Sequence, residues 1–276
     1  MKYQQFSKGV LIFLTASALL FNCSKKKEED PAPVPVVTPE PEVRKTTYTF
    51  NQEFALGGDI TFTELSATQT KVDLIVKGAS ANTHPARIYK NSAAETGDTY
   101  KDLTSVDATG KSTTVLDVDY NTLVNYDGHI NVLENILNPT IIAQSDIGGN
   151  LLTGKSQPYT ISPVTGSSVG GTVLFKERKN GNTLAIVTLT SVSPGQQYGV
   201  FLNSGKASSI SLPSTDVELN DVDGTKRVSE TNIKFLKGTN NSIKYQNILD
   251  DPRYILITAS DKTTELAKGD IGSNVK

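Results

Sequence analysis

A ten-residue stretch occurs twice in this chain. "IIAQSDIGGN" closes at Asn150, and "ELAKGDIGSN" closes at Asn274, with Asp146 to Gly148 answering Asp270 to Gly272. Other landmarks keep the same order between the two halves. "LGGDITFTEL" with Gly57, Gly58 and Phe62 matches "VGGTVLFKER" with Gly170, Gly171 and Phe175, and the aromatic falls four residues beyond the second glycine in both. "KVDLIVKGASANTHPARIYKNS" matches "TLAIVTLTSVSPGQQYGVFLNS", which sets Asn91 and Ser92 opposite Asn203 and Ser204, and "LTSVDATGKS" faces "LNDVDGTKRV". A repeat of roughly 115 residues is the size of an independent domain, well above the 20–50 residues of a solenoid unit. The chain therefore has to fold as two related units of one architecture.

The pattern within each half identifies that architecture. Apolar residues alternate as half-buried strands require, at Ile60 and Phe62, at Val72, Leu74 and Val76, at Ile88, and in the second half at Val173 and Phe175. Gly, Pro, Asn and Asp punctuate these runs in "VKGASANTHP", "NGN", "SPGQQ" and "VDGTK", where a chain of short strands must reverse. Trp is absent and Met occurs once, while β-branched residues abound. The expectation is an all-β protein with two tandem Greek-key β-sandwiches, and short helical turns near Thr122–Tyr126 and Tyr245–Leu249.

The N-terminus carries a separate message. Lys2 and Lys8 precede the 13-residue apolar run "GVLIFLTASALLF", too short for the roughly 20 residues of a membrane-spanning helix and suited to a secretion signal. The one cysteine of the chain, Cys23, stands where cleavage would fall, so no intramolecular disulfide is available. "LFNC" resembles the lipobox of bacterial lipoproteins, with Leu20 at the motif's leading position and Asn22 where the pattern prefers a small residue. The resemblance implies lipidation at Cys23; the competing reading is a conventional signal peptide with an incidental thiol. "SKKKEED" follows, in the manner of surface-export signals of Bacteroidetes lipoproteins, although any solvated tether needs charge. "PAPVPVVTPEPEVRK" then suits polyproline II, and at about 3.1 Å per residue Pro31 to Arg44 reaches roughly 40 Å. The organisation expected is a signal peptide over 1–22, a lipidated cysteine and Pro-rich tether over 23–45, and sandwiches over 46–151 and 157–276. The implied location is the cell envelope, lipid-anchored at the outer membrane or cell surface.

"YDGHINVLENILNPTIIAQSDIGGN" resembles the closing strands of the CHRD (chordin-type) domain of bacterial lipoproteins, and "YILITASDKTTELAKGDIGSN" resembles a diverged copy that keeps only the ending. That domain is similar in fold to Cu/Zn superoxide dismutase, whose strand of alternating histidines aligns with "HPARIY". A copper or zinc site needs three or four imidazole or carboxylate ligands, and this chain has two histidines. His84 matches the leading histidine alone; Arg87 and Tyr89 stand at the copper-binding pair, Leu133 replaces the histidine after "INV", and Gly199 and Phe201 stand there in the second half. His84 and His129 are expected at loops or strand edges.

Other chemistries are weighed in the same way. With 27 basic and 29 acidic residues and a pI of about 5.8, no basic face suited to nucleic acid is expected. "ATGKST", from Ala108 to Thr113, imitates the end of a phosphate-binding loop, but Ser105 holds the place of its first glycine and "TTVLDVD" reads as a strand, so a turn is expected. Asp216, Glu218, Asp221 and Asp223 lie close enough for a calcium loop but lack the EF-hand spacing. No Gly-x-Ser-x-Gly elbow is present. The reading is a non-catalytic envelope lipoprotein with no cofactor, joined to the membrane through Cys23 and binding or displaying to a protein or glycan partner. The alternatives are a metal-dependent dismutase-like enzyme and a purely structural spacer. Exposed edge strands also offer a template for strand addition.

Overall fold

Strands form where the alternating runs predict them, and their order repeats. A computed structural model describes residues 42–51, 54–95, 97–208 and 214–275; Cys23, the signal segment and most of the tether lie outside the described residues. The first half runs β1 (Lys45–Thr49), β2 (Gly57–Ser66), β3 (Gln69–Lys77), β4 (His84–Lys90), β5 (Thr99–Val106), β6 (Lys111–Leu116), the short helix α1 (Tyr120–Val124), β7 (Gly128–Leu133) and β8 (Ile141–Ile147), and ends in a 3-10 turn at Gly148–Asn150. The second half repeats this element by element as β9 (Leu152–Pro163), β10 (Gly170–Arg178), β11 (Thr183–Thr190), β12 (Gln197–Ser204), β13 (Thr215–Asp223), β14 (Val228–Ile233), α2 (Tyr245–Asp250), β15 (Pro252–Thr258) and β16 (Glu265–Gly272), with its own 3-10 turn at Ser273–Val275. Both helical turns fall where expected, α1 starting two residues early at Tyr120.

The protein is all-β. In the first half the antiparallel sheets are β1-β2-β3-β6 and β5-β4-β7-β8. In the second they are β9-β10-β11-β14 and β13-β12-β15-β16, fused into eight strands because Ala267 and Lys268 of β16 pair with Pro163 and Ser162 of β9. The chain passes between the two sheets of the first half three times, after β3, β5 and β6, which gives the Greek-key connection. Alternate residues face inward, so Phe62, Leu74, Ile88 and Ile130 build one core while Phe175, Val187, Leu202 and Ile255 build another. The two clusters share no residue. Each large side chain so buried contributes about 1.5–3 kcal/mol, which makes these cores the dominant stabilising term of their halves.

Strand registers fix the repeat residue by residue. Phe62 opposes Val72 and Phe175 opposes Ala185, so Val72, Leu74 and Val76 correspond to Ala185, Val187 and Leu189. Farther on, Ile88 opposes Ile130 and Leu202 opposes Ile255. Tyr89 and Lys90 therefore correspond to Asn203 and Ser204, and the alignment of Asn91–Ser92 with Asn203–Ser204 is two residues out. The letter match is already one residue out at β3, where it sets Val72 against Leu184, and the β11–β12 connection is one residue longer than β3–β4. A slip of one residue turns an inward side chain outward, so side-chain direction is the better guide. The same register reveals a correspondence between "YTF" at Tyr48–Phe50 and "YTI" at Tyr159–Ile161, whose tyrosines meet Phe62 and Phe175 edge to face at 5.1 and 6.0 Å.

The repeated ending has a structural reason. Gly148 and Gly272 both adopt positive φ, 60° and 64°, and a Cβ there would lie 2.1 Å from the Tyr126 carbonyl oxygen and 2.2 Å from that of Asp251. Only glycine fits such a turn. Two residues later, the Asn150 amide donates to the Gly128 carbonyl at 3.3 Å and the Asn274 amide to the Arg253 carbonyl at 2.9 Å, tying the turn to β7 or β15. Two residues before the glycine, Asp146 and Asp270 each accept from a backbone N–H, of Ala93 and of Ala207, both at 2.7 Å. The signature thus clamps the loop after β4 or β12 to the last strand.

Candidate functional site: one groove in two states

The clamp aspartates sit at the wall of a groove that each half builds from the same positions. In the first half the wall is Thr49, Asn51, Ala93, Ser145, Asp146 and Leu151, beside a cavity of about 420 Å³. In the second it is Thr160, Ser162, Ala207, Gly269, Asp270 and Val275, beside a cavity of about 980 Å³. Thr49 and Thr160, Ser145 and Gly269, and Asp146 and Asp270 correspond under the strand registers, and the other three pairs follow by continuing the chain from the paired strands.

The first groove is closed on one side by the other half of the molecule. Only Leu151 separates the halves: the first 3-10 turn ends at Asn150 and β9 begins at Leu152. The outer face of the β9-β10-β11-β14 sheet lines the other side of that cavity with Leu152, Leu184, Ile186 and Arg178. Arg178 is 1% exposed; its Nη1 donates to Asp146 Oδ2 at 2.6 Å and also to the Asn150 carbonyl. Its Nε has no acceptor among the described residues, so the pairing rests on Nη1. The backbone joins in, with Lys179 N–H donating to the Leu151 carbonyl at 2.8 Å and Asn180 N–H to that of Gly149 at 2.9 Å.

A second tie lies at the far end of the seam. Glu95 accepts from the Lys234 ammonium at 2.7 Å and from the Asn232 amide at 2.8 Å, and Lys234 also donates to Asn91 Oδ1 at 3.1 Å. Burial raises the Glu95 pKa, but the Lys234 hydrogen bond and donation from Ser92 and Asn232 outweigh it and leave the carboxyl below the ordinary glutamate range.

In the second half no described residue pairs with the groove aspartate as Arg178 does in the first. Asp270 Oδ1 accepts from Ala207 N–H and, at 3.5 Å, from the Asn274 amide, while Oδ2, the counterpart of the oxygen that holds Arg178, has no partner among the described residues. Tyr159 and Leu249 supply an apolar floor, and Val275, 58% exposed, forms the rim.

The residues singled out from the sequence lie elsewhere. His84 and His129 are buried rather than at loops or edges, because β4 and β7 are interior strands of their sheet. A carbonyl only accepts, so His84 Nδ1 donates to Glu134 O at 2.8 Å, and Nε2 lies 3.2 Å from the Ser80 hydroxyl and 3.4 Å from the Ser80 carbonyl. The position corresponding to His84 is Tyr198, whose hydroxyl accepts from Ser193 N–H at 2.9 Å and pins the preceding loop in the same way. His129 Nδ1 donates to Asn91 O at 3.0 Å and its ring stacks on Tyr89. Both imidazoles thus serve as loop pins.

The donor set does not fit a dismutase metal. Arg87 pairs with Asp102 at 2.8 Å, Tyr89 covers His129, Leu133 is buried, and the residues opposite Arg87 and Tyr89 are Phe201 and Asn203 in place of Gly199 and Phe201. No cluster of three or more His, Cys, Asp or Glu side chains able to hold a metal occurs among the described residues. The acidic run on β13 is divided among separate partners: Asp216 with Arg253, Glu218 and Asp221 with Lys262, and Asp223 with the turn amides of Thr225 and Lys226. Residues 108–110 form the β5–β6 turn, in which Asp107 accepts from Thr109 and Lys111 N–H, and β6 follows as the strand expected there.

Comparison of the chain with protein-family models, with curated proteins and with solved structures gives no match. The groove was missed from sequence because its members are small, polar and scattered over both halves. One signal was present: "TLAIVTLT" of β11 is apolar on both faces, as a strand covered on both sides must be, whereas β3 alternates.

Proposed function

We propose that this protein is a cell-envelope lipoprotein, anchored through Cys23, whose two CHRD-like sandwiches bind a protein or glycan partner without catalysing a reaction. The observation that carries the binding reading is the open groove at Asp270, built from the positions that in the first half already receive a protein surface. The apolar run ending at Cys23 and the proline-rich tether support the anchor, since a short apolar segment directs export and a polyproline stretch holds a folded body away from a membrane. The polar groups of the dismutase-like face are engaged in loop pinning and ion pairs, which supports a role outside redox chemistry.

The test is in cells, with the full chain. Wild type takes up a clickable palmitate that Cys23→Ala does not, and photo-crosslinkers at Thr83 and Gln196, in the β3–β4 and β11–β12 loops, give a discrete product. Equal label in both chains removes the anchor from the reading. Protein that is folded and surface-accessible yet yields no product from either loop or from the groove favours a spacer.

A further inference from the structure

We infer that the open groove of the second sandwich is the docking seat for a separate protein that presents an arginine on a β-sheet face, flanked by aliphatic side chains. This inference rests on the binding reading above and names the partner's chemistry.

The molecule contains its own precedent for the complex. In the first groove a carboxylate, Asp146, divides its oxygens: Oδ1 holds the loop through Ala93 N–H, and Oδ2 takes the Arg178 guanidinium at 2.6 Å. In the second groove Asp270 Oδ1 makes the equivalent loop bond to Ala207, and Oδ2 meets no cation among the described residues. The clamp accounts for one oxygen of each aspartate and leaves the other to recognise charge. The cavity beside Arg178 is lined also by Leu152, Leu184 and Ile186, and the one beside Asp270 by Tyr159, Leu249 and Val275. A cation framed by aliphatic groups complements a carboxylate framed by apolar ones, and the planar guanidinium adds directional hydrogen bonds that an ammonium lacks.

A second copy of this chain fits the seat less well. The outer face of its second sandwich is already used in its own seam. The first sandwich offers the β1-β2-β3-β6 face, where Leu65 stands at the position of Arg178, with Lys71 and Asp73 at those of Leu184 and Ile186. Docking that face would bury Asp270 against leucine, with its charge uncompensated. The partner is therefore a different chain, and a glycan supplies no cation for Asp270.

The test places a photo-crosslinking amino acid at Gln246 or Thr172, on the groove rim, in the full lipid-anchored protein, and maps the crosslinked segment by tandem mass spectrometry. Asp270→Asn keeps the acceptor for Ala207 N–H and removes the charge; Thr160→Trp fills the groove from β9 and leaves the clamp alone. The expected result is a product on an arginine-bearing segment of another protein, reduced about tenfold by Asp270→Asn and likewise by Thr160→Trp in chains of unchanged melting temperature. A segment without arginine, a second copy of this chain, a glycan adduct, or a product indifferent to both substitutions overturns the inference. So does a product from the Thr83 and Gln196 loops with none from the groove, an outcome that leaves the binding reading standing; silence at all four positions overturns both.

Discussion

The two halves build the same groove and use it differently. In the first, Asp146 pairs with the buried Arg178; in the second, Asp270 keeps the same loop bond and has no such cation among the described residues. What differs is not the clamp but the surface opposite it: Arg178, Leu184 and Ile186 in the second sandwich replace Leu65, Lys71 and Asp73 in the first. A duplicated fold has thus kept its framework and specialised its outer faces, one for docking inside the molecule and one for solvent.

The most severe way to probe the shared framework is at its two glycines. Gly148→Ala and Gly272→Ala each force a Cβ against a backbone carbonyl at a positive φ, and each is expected to cost on the order of 3–4 kcal/mol. Thermal unfolding followed by hydrogen exchange locates the damage. If the halves are coupled only through the seam, Gly272→Ala loosens β15 and β16 while β1 to β8 stay protected. Uniform loss of protection in both variants would mean that the halves unfold as one cooperative body.

Next in size is the seam itself. Arg178→Ala leaves Asp146 and the Asn150 carbonyl without their shared donor in a buried site, an expected loss of about 3 kcal/mol. Leu65→Ala, at the equivalent and half-exposed position, is expected to change stability by less than about 0.5 kcal/mol. Chemical denaturation of the two variants measures both. Similar losses would show that the contrast between the outer faces carries no energetic weight.

Much of this was legible in the letters. Inward residues of β2 and β3, the turn at Asp107–Gly110, both helices and the Asp-Ile-Gly endings follow from alternation, turn chemistry and repetition. Register was harder: "NS" at Asn91 and at Asn203 looks alike, yet Asn91 has left its strand at a φ of 64° while Asn203 lies within β12. Matching letters cannot see which side of a sheet a residue faces. The seam was hidden for a related reason, because Arg178 and Glu95 find partners 32 and 139 positions away in sequence, and only the two-sided apolarity of β11 hints that something covers it.

A smaller effect sharpens the pairing of His84 with Tyr198. Both side chains are buried, and each reaches back to the loop before its strand. His84→Tyr is expected to cost about 1 kcal/mol, as a substitution that preserves a polar contact at a core position, whereas His84→Ala costs two to three times as much by opening a cavity and leaving the Glu134 carbonyl without its donor. Denaturation midpoints of the two variants decide the matter. Equal losses would mean that the tyrosine of the second half does not stand in for the histidine of the first.

The mildest test acts on the seam through pH. Glu95 titrates below the ordinary glutamate range because Lys234, Ser92 and Asn232 together outweigh the effect of burial. A carboxyl whose folded pKa lies below its unfolded one contributes stability that is present above the unfolded value and is lost as pH falls through the folded value. Relative to Glu95→Gln, the wild type should therefore hold a constant advantage at neutral pH, and the gap should close as pH falls below the ordinary glutamate value of about 4.3. Melting temperatures of the two chains across that window read the gap directly. A gap that widens on acidification would reverse the sign and remove the Glu95–Lys234 pair from the interactions that distinguish the closed groove from the open one.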